Sequence, residues 1–146
     1  MISVTRGNFH GNRSWFRAVA EGKDWVLCHT SALECLELFV GYLYEKRIEV
    51  YAKEPGEYDN INYRIVDSFD SLGITNYMGV RCTNVNQTIN DMLREFDNID
   101  EQSLVETLAT YYYLHGDSFD GLEIDVQNQA VFDSIRDWAI EYYDEE

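Results

Sequence analysis

Met78-Gly79-Val80-Arg81-Cys82-Thr83-Asn84, running straight into Val85-Asn86-Gln87-Thr88-Ile89-Asn90-Asp91-Met92-Leu93-Arg94-Glu95-Phe96, decides the fold of this chain. The first stretch reads as a short strand and the second as the helix it feeds. Val85, Ile89, Met92, Leu93 and Phe96 fall at i, i+4, i+7, i+8 and i+11, one apolar stripe, which puts Asn86, Asn90, Asp91 and Arg94 on the far side. Asn84 is the expected N-cap, its side-chain oxygen taking an orphan amide of the first turn, and Gln87 stands where a capping box would close. A capped strand-to-helix unit specifies packing and carries no chemistry.

Upstream of that unit, Trp25 to Cys28 is a short apolar run with the character of a buried strand. Ser31 and Glu34 form a capping box for a helix that turns Ala32, Leu36, Phe39, Val40 and Leu43 to one side. Ile48 to Ala52 reads as a strand and Tyr63 to Val66 as the second strand of that pair, joined by a loop or hairpin that holds the only proline. Asp67 to Asn76 has no clean period and reads as loop with one short strand leading into Met78. Downstream, Asp100 is placed to cap a helix from Glu101 to about His115, stopped by Gly116. Its apolar face, Leu104, Val105, Leu108, Ala109, Tyr111 and Tyr112, is wide enough to be sandwiched. Phe119 to Val126 has no assignable type. The last helix, from about Asn128 to Tyr143, turns Val131, Ile135, Trp138, Ala139 and Tyr142 inward and Asp133, Asp137, Glu141 and Asp144 outward.

These elements predict an α+β fold: a small mixed β-sheet from the segments near Trp25, Ile48, Tyr63 and Val80, packed with helices and followed by a helical C-terminal part. One domain over 1–146 is expected, with an N-terminal segment at 1–24, a strand-and-helix part at 25–96 and a helical part at 97–146. No Gly/Ser/Pro linker interrupts it.

Composition narrows the function classes. The 45% of hydrophobic residues and 14% of aromatics exclude a disordered acidic tail, although the net charge is −16. That charge is uneven: residues 1–73 carry −3 and residues 74–146 carry −13. Such a second half repels a phosphate backbone, so direct DNA binding is not expected. It attracts a basic protein with an assisted on-rate, and it also fits a mimic of nucleic acid that blocks a DNA- or RNA-binding enzyme. Solubility alone is the simplest use of the charge. Three cysteines without CxxC spacing, no leader-like segment and no long apolar run point to a cytoplasmic protein away from the membrane.

Candidate chemistry is sparse. Arg6, His10, Arg13 and Arg17 lie beside Gly-Asn turns, where a backbone could cradle a phosphate, but no P-loop or dinucleotide motif accompanies them. Cys28, His29 and Cys35 could serve a small enzyme as nucleophile, base or metal ligand; their strand and helix placement favours a core role instead. Asp117, Asp120, Glu123 and Asp125 miss the frame of a calcium loop and read as a solvated turn. No catalytic or metal residue and no cofactor is therefore assigned. Contact surface for a protein partner is expected at Tyr113 and Tyr143 and along the carboxylates Asp133, Asp137 and Glu141.

Two stretches resemble a known family. His29-Thr30-Ser31-Ala32-Leu33-Glu34-Cys35-Leu36-Glu37-Leu38 and Gly79-Val80-Arg81-Cys82-Thr83-Asn84-Val85-Asn86-Gln87-Thr88-Ile89-Asn90-Asp91-Met92-Leu93 are similar to the H-x-S-A-L and G-V-x-V-T-S-P-E-R-T-L segments of AbiEi-type antitoxins, over about residues 25–126. The family's Pro-Glu-Arg is Val85-Asn86-Gln87 here, so Gln87 inherits only a capping role. The resemblance implies an antitoxin-like, non-enzymatic module of a bacterial or phage defence locus, with a basic toxin as partner. Residues 1–24 are too short for the winged-helix DNA-binding domain that precedes this region in the family, which implies no autoregulation.

Overall fold

The structure, a computed structural model, describes residues 11–39, 47–77, 79–99 and 101–142; the side chains of residues 11–15 and 77 lie outside that description. In chain order its elements are α1 (Gly11–Ala20), β1 (Trp25–Leu27), α2 (His29–Cys35), β2 (Ile48–Ala52), β3 (Ile61–Ile65), β4 (Ile74–Tyr77), β5 (Val80–Thr83), α3 (Val85–Arg94), α4 (Glu101–Leu114) and α5 (Gln129–Glu141), with 3-10 turns at Phe96–Asn98 and Val126–Asn128. The fold is α+β, as the sequence predicts, built on one mixed sheet of five strands in the order β3-β2-β1-β5-β4.

The β5-to-α3 unit forms as expected, and Asn84 caps it by accepting from the Gln87 amide at 2.8 Å. Gln87 does not reciprocate. Its carbonyl accepts from Gly73 N–H at 2.9 Å and its amide donates to Asp91 at 2.9 Å, so it ties the helix to the preceding loop. Asn90 and Asp91 also depart from expectation, being 6% and 0% exposed. One stripe of α3 packs on the helical core, and on its polar side Asn90 and Asp91 are buried as well, against the segment 121–128 and Tyr51, while Asn86 is half-buried and Arg94 exposed.

Sheet topology corrects a second expectation. β2 and β3 are neighbours but run parallel, Ile48 opposite Ile61 and Ala52 opposite Ile65, so no hairpin joins them. Their connection crosses back over β3 instead of turning tightly. Gly56 sits directly on the Tyr63 ring with no room for a side chain, and the Tyr63 hydroxyl accepts from Tyr58 N–H at 3.3 Å. β1 lies at the centre, antiparallel to β2 and parallel to β5, where Leu27 meets Cys82.

Leu27, Ile48, Val50, Ala52, Ile61, Val80 and Cys82 face α1 and α2, while Val26, Cys28 and Tyr51 face the loop carrying Val66, Phe69 and Leu72. This is the period-two alternation of a sheet buried on both sides. α2 is shorter than its stripe suggests. Leu38 N–H bonds Leu33 C=O and Glu37 N–H bonds Glu34 C=O, a Schellman ending that puts Glu37 at φ +63. Phe39 then buries in the helical core, and Val40 and Leu43 lie outside the described residues. Ser31 is not a cap: its hydroxyl accepts from Glu49 N–H at 2.8 Å and stitches α2 to β2.

α4 and α5 pack on each other and, with α3 and the end of α2, enclose the larger core around Leu93, Leu104, Leu108, Phe132 and Ile135. Asp100, the expected cap of α4, lies outside the described residues. Trp138 does not turn inward; it is 43% exposed. Among the described residues no helix is long and apolar enough to cross a membrane.

Candidate functional site

Three groups of polar side chains stand out, and they differ in what they can do. The first begins where β1 runs into α2. His29, the first residue of that helix, sits at φ +50 and is 2% exposed. Its Nε2 lies 2.6 Å from Glu95, whose other oxygen accepts from Arg64 at 3.3 Å; Arg64 in turn donates to Glu49 at 2.8 Å. Alongside, Tyr51 donates to Asp91 at 2.8 Å and Arg94 to the same carboxylate at 2.6 Å. Burial, reinforced by the Arg64 charge, holds His29 below the usual histidine range and therefore neutral, with Nε2–H donating to Glu95. Burial alone would raise Glu95, but His29 and Arg64 outweigh it and leave the carboxyl below its ordinary value. Burial pushes the Cys28 thiol well up, which removes it as a nucleophile. Each charge here meets an opposite one, so the cluster is a clamp between sheet and α3. Within the cluster, His29 Nδ1 is the one buried polar side-chain atom without a hydrogen-bond partner among the described residues.

The second group is the outer side of α5. Asp133, Asp137 and Glu141 are exposed and fall four residues apart, about 6 Å per step along the axis. Trp138 stands beside this row, and Arg136 is the one basic residue on the helix. Tyr113 is 71% exposed at the end of α4, next to Leu114 at 63%. The structure thus brings Asp133, Asp137 and Glu141 onto one face, while Tyr113 belongs to another helix and Tyr143 lies outside the described residues. Trp138 was hidden in the sequence because its spacing fits the apolar stripe.

The third group is a cleft of about 430 Å³ lined by Arg17, Lys23, Asp24, Trp25, Gly79 and Arg81. Arg17 is the only phosphate candidate that can be located here; Arg13 lies on α1 with its side chain outside the described set, and Arg6 and His10 precede it. Arg81 donates to Trp25 C=O at 3.0 Å and to Asp24 at 3.1 Å, and Lys53 pairs with Asp24 at 3.2 Å. Those two bonds hold the Asp24 carboxyl below its ordinary value. Of the cleft's cations Arg81 is already matched, Lys53 from outside the cleft draws further on Asp24, and the C-terminal carbonyls of α1 add negative potential beside it. An anion has little to gain there.

One further constellation escaped the sequence reading. Asn86 and Asn90, one turn apart on α3, use both ends of their amides on the backbone of residues 121–125. Asn86 donates to Gly121 C=O at 3.2 Å and accepts from Glu123 N–H at 3.0 Å; Asn90 donates to Glu123 C=O at 2.7 Å and accepts from Asp125 N–H at 2.8 Å. Asn128 donates to Asn90 and completes the ladder. Two asparagines at i and i+4 were the available signal. The acidic residues Asp117, Asp120, Glu123 and Asp125 flank this strap, and among the described residues no set of three His, Cys, Asp or Glu side chains is arranged to hold a metal. Compared with family models and with curated proteins, the chain matches none.

Proposed function

We propose that this chain is a non-enzymatic, antitoxin-like interaction module of a bacterial or phage defence locus, and that it holds a basic protein partner through the outer side of α5. The observation that carries the reading is the row Asp133, Asp137 and Glu141 with Trp138 beside it. Carboxylates steer a cationic partner and set its orientation, while a half-exposed tryptophan supplies the desolvated anchor that charge lacks. The resemblance to AbiEi-type antitoxins supports the biological setting.

Co-expression with the neighbouring reading frame tests it, by affinity capture of this chain and by rescue of growth. Capture and rescue that are both lost in Asp133→Lys/Asp137→Lys and weakened in Trp138→Ala support the reading; neither capture nor rescue by the native chain retires it. The even spacing of the same carboxylates supports a second reading, a mimic of nucleic acid that occupies a DNA- or RNA-binding enzyme. That reading requires capture to fall steeply with salt and to be indifferent to Trp138→Ala.

A further inference from the structure

The strap at 121–125 is tied to α3 along one edge, and on the other its one bond is the turn from Leu122 N–H to Phe119 C=O at 3.0 Å, among the described residues. Asn86 and Asn90 bond residues 121, 123 and 125, the alternation of an extended chain, in which successive peptide groups point to opposite edges. On the other edge, Leu122 C=O and both the N–H and C=O of Ile124 make no hydrogen bond with the described residues. The side chains are divided the same way. Leu122 and Ile124 pack on the helical core, while Glu123 and Asp125 are exposed. Val126, next along the chain, is 92% exposed.

From this we infer that the strap is a docking edge for an extended, basic segment of a protein partner, which adds to it as an antiparallel strand. Ile124 offers a donor and an acceptor from one residue, the pattern of a hydrogen-bonded antiparallel pair, and Leu122 C=O offers one more acceptor. A segment paired in this register turns every second side chain over Glu123 and Asp125, where a lysine or arginine is favoured by charge. The intervening side chains lie on the core side, towards Ile124 and Val126, where small apolar groups fit. The asparagine ladder holds the strap straight before the partner arrives, so little ordering is left to be done on binding. This surface is separate from the outer side of α5 and does not depend on it.

The experiment titrates the full chain with a short, end-blocked peptide alternating lysine and valine, and with two copies of it, one N-methylated at every valine and one at every lysine. Charge is identical in all three. In antiparallel pairing the valine amides face the strap and the lysine amides face solvent, so methylation at valine should weaken binding about tenfold or more while methylation at lysine leaves it. On the protein, Ile124→Pro removes a donor that makes no internal bond and should reduce the parent peptide to the level of its valine-methylated copy. Asp133→Asn/Asp137→Asn should leave peptide binding in place, which separates failure here from failure of the α5 reading. Equal binding of all three peptides, or no binding of the parent, overturns the inference.

Discussion

The clamp beneath α3 and the outer side of α5 are both rich in carboxylates, yet they use them in opposite ways. Glu49, Asp91 and Glu95 are paired with Arg64, Arg94, Tyr51 and His29, and Asp91 is 0% exposed. Asp133, Asp137 and Glu141 are exposed, and the neighbours that two of them have, Gln129 at 2.9 Å from Asp133 and Arg136 at 3.9 Å from Asp137, lie at the surface with them. A buried charge must find its counterpart inside the chain or the fold pays in desolvation, whereas an exposed one can wait for a counterpart on another molecule. The position of a carboxylate, more than their number, therefore separates the part of this protein that holds itself together from the part available to a partner.

Removing a cation from the clamp breaks that contrast most sharply. Arg64→Leu leaves Glu49 and Glu95 without their cation, with only the Asn62 and His29 N–H groups to hold them, and should lower the free energy of unfolding by about 3 kcal/mol in urea titrations. Cutting the ladder comes next: Asn90→Ala removes partners from the Glu123 and Asp125 backbone and should lower it by about 2 kcal/mol. A titration with acid sharpens the comparison. His29 has a folded-state pKa below its unfolded one, so the unfolded chain takes up the proton first; the stability His29 contributes is present above about pH 6.5 and is lost as the pH falls below it. Glu95, also lowered, adds a further loss below its ordinary range. Urea midpoints should accordingly decline from pH 7 towards pH 5, and His29→Phe should flatten the upper part of that decline. Smallest of all, Asp133→Ser/Asp137→Ser should move stability by no more than about 0.5 kcal/mol, while reducing capture of the partner. A clamp variant as stable as the native chain, or an α5 variant that unfolds, would erase the distinction.

Periodicity and capping made much of this architecture readable. Asn84, the stripe of α3, the strands at Ile48 and Val80 and the final helix follow from spacing alone, because local rules and tertiary packing agree there. Where they disagree, the sequence misleads. Ser31 fits a capping box but bonds β2, since a strand amide lies within its reach. Asp91 falls on the polar side of α3, and only the folded sheet supplies the Tyr51 that makes its burial tolerable. The outward row on α5 was legible; Trp138 was not, because a helical stripe one residue too wide looks the same whether the extra residue is covered or bare. The parallel course of β3 depends on where Tyr63 pins the returning loop, a contact with no local signature.

The central strand of the sheet has a kinetic implication. β1 pairs through Leu27 with Cys82, so its parallel neighbour is synthesised long after it, and that edge must wait for residues far along the chain. α4 and α5, by contrast, close on each other over a short span. High contact order on one side and low on the other means that the helical pair can zip quickly while the sheet sets the overall folding rate. During that wait the apolar run Trp25–Leu27 is the stretch most in need of protection from aggregation, and a nascent chain stalled before residue 80 would expose it.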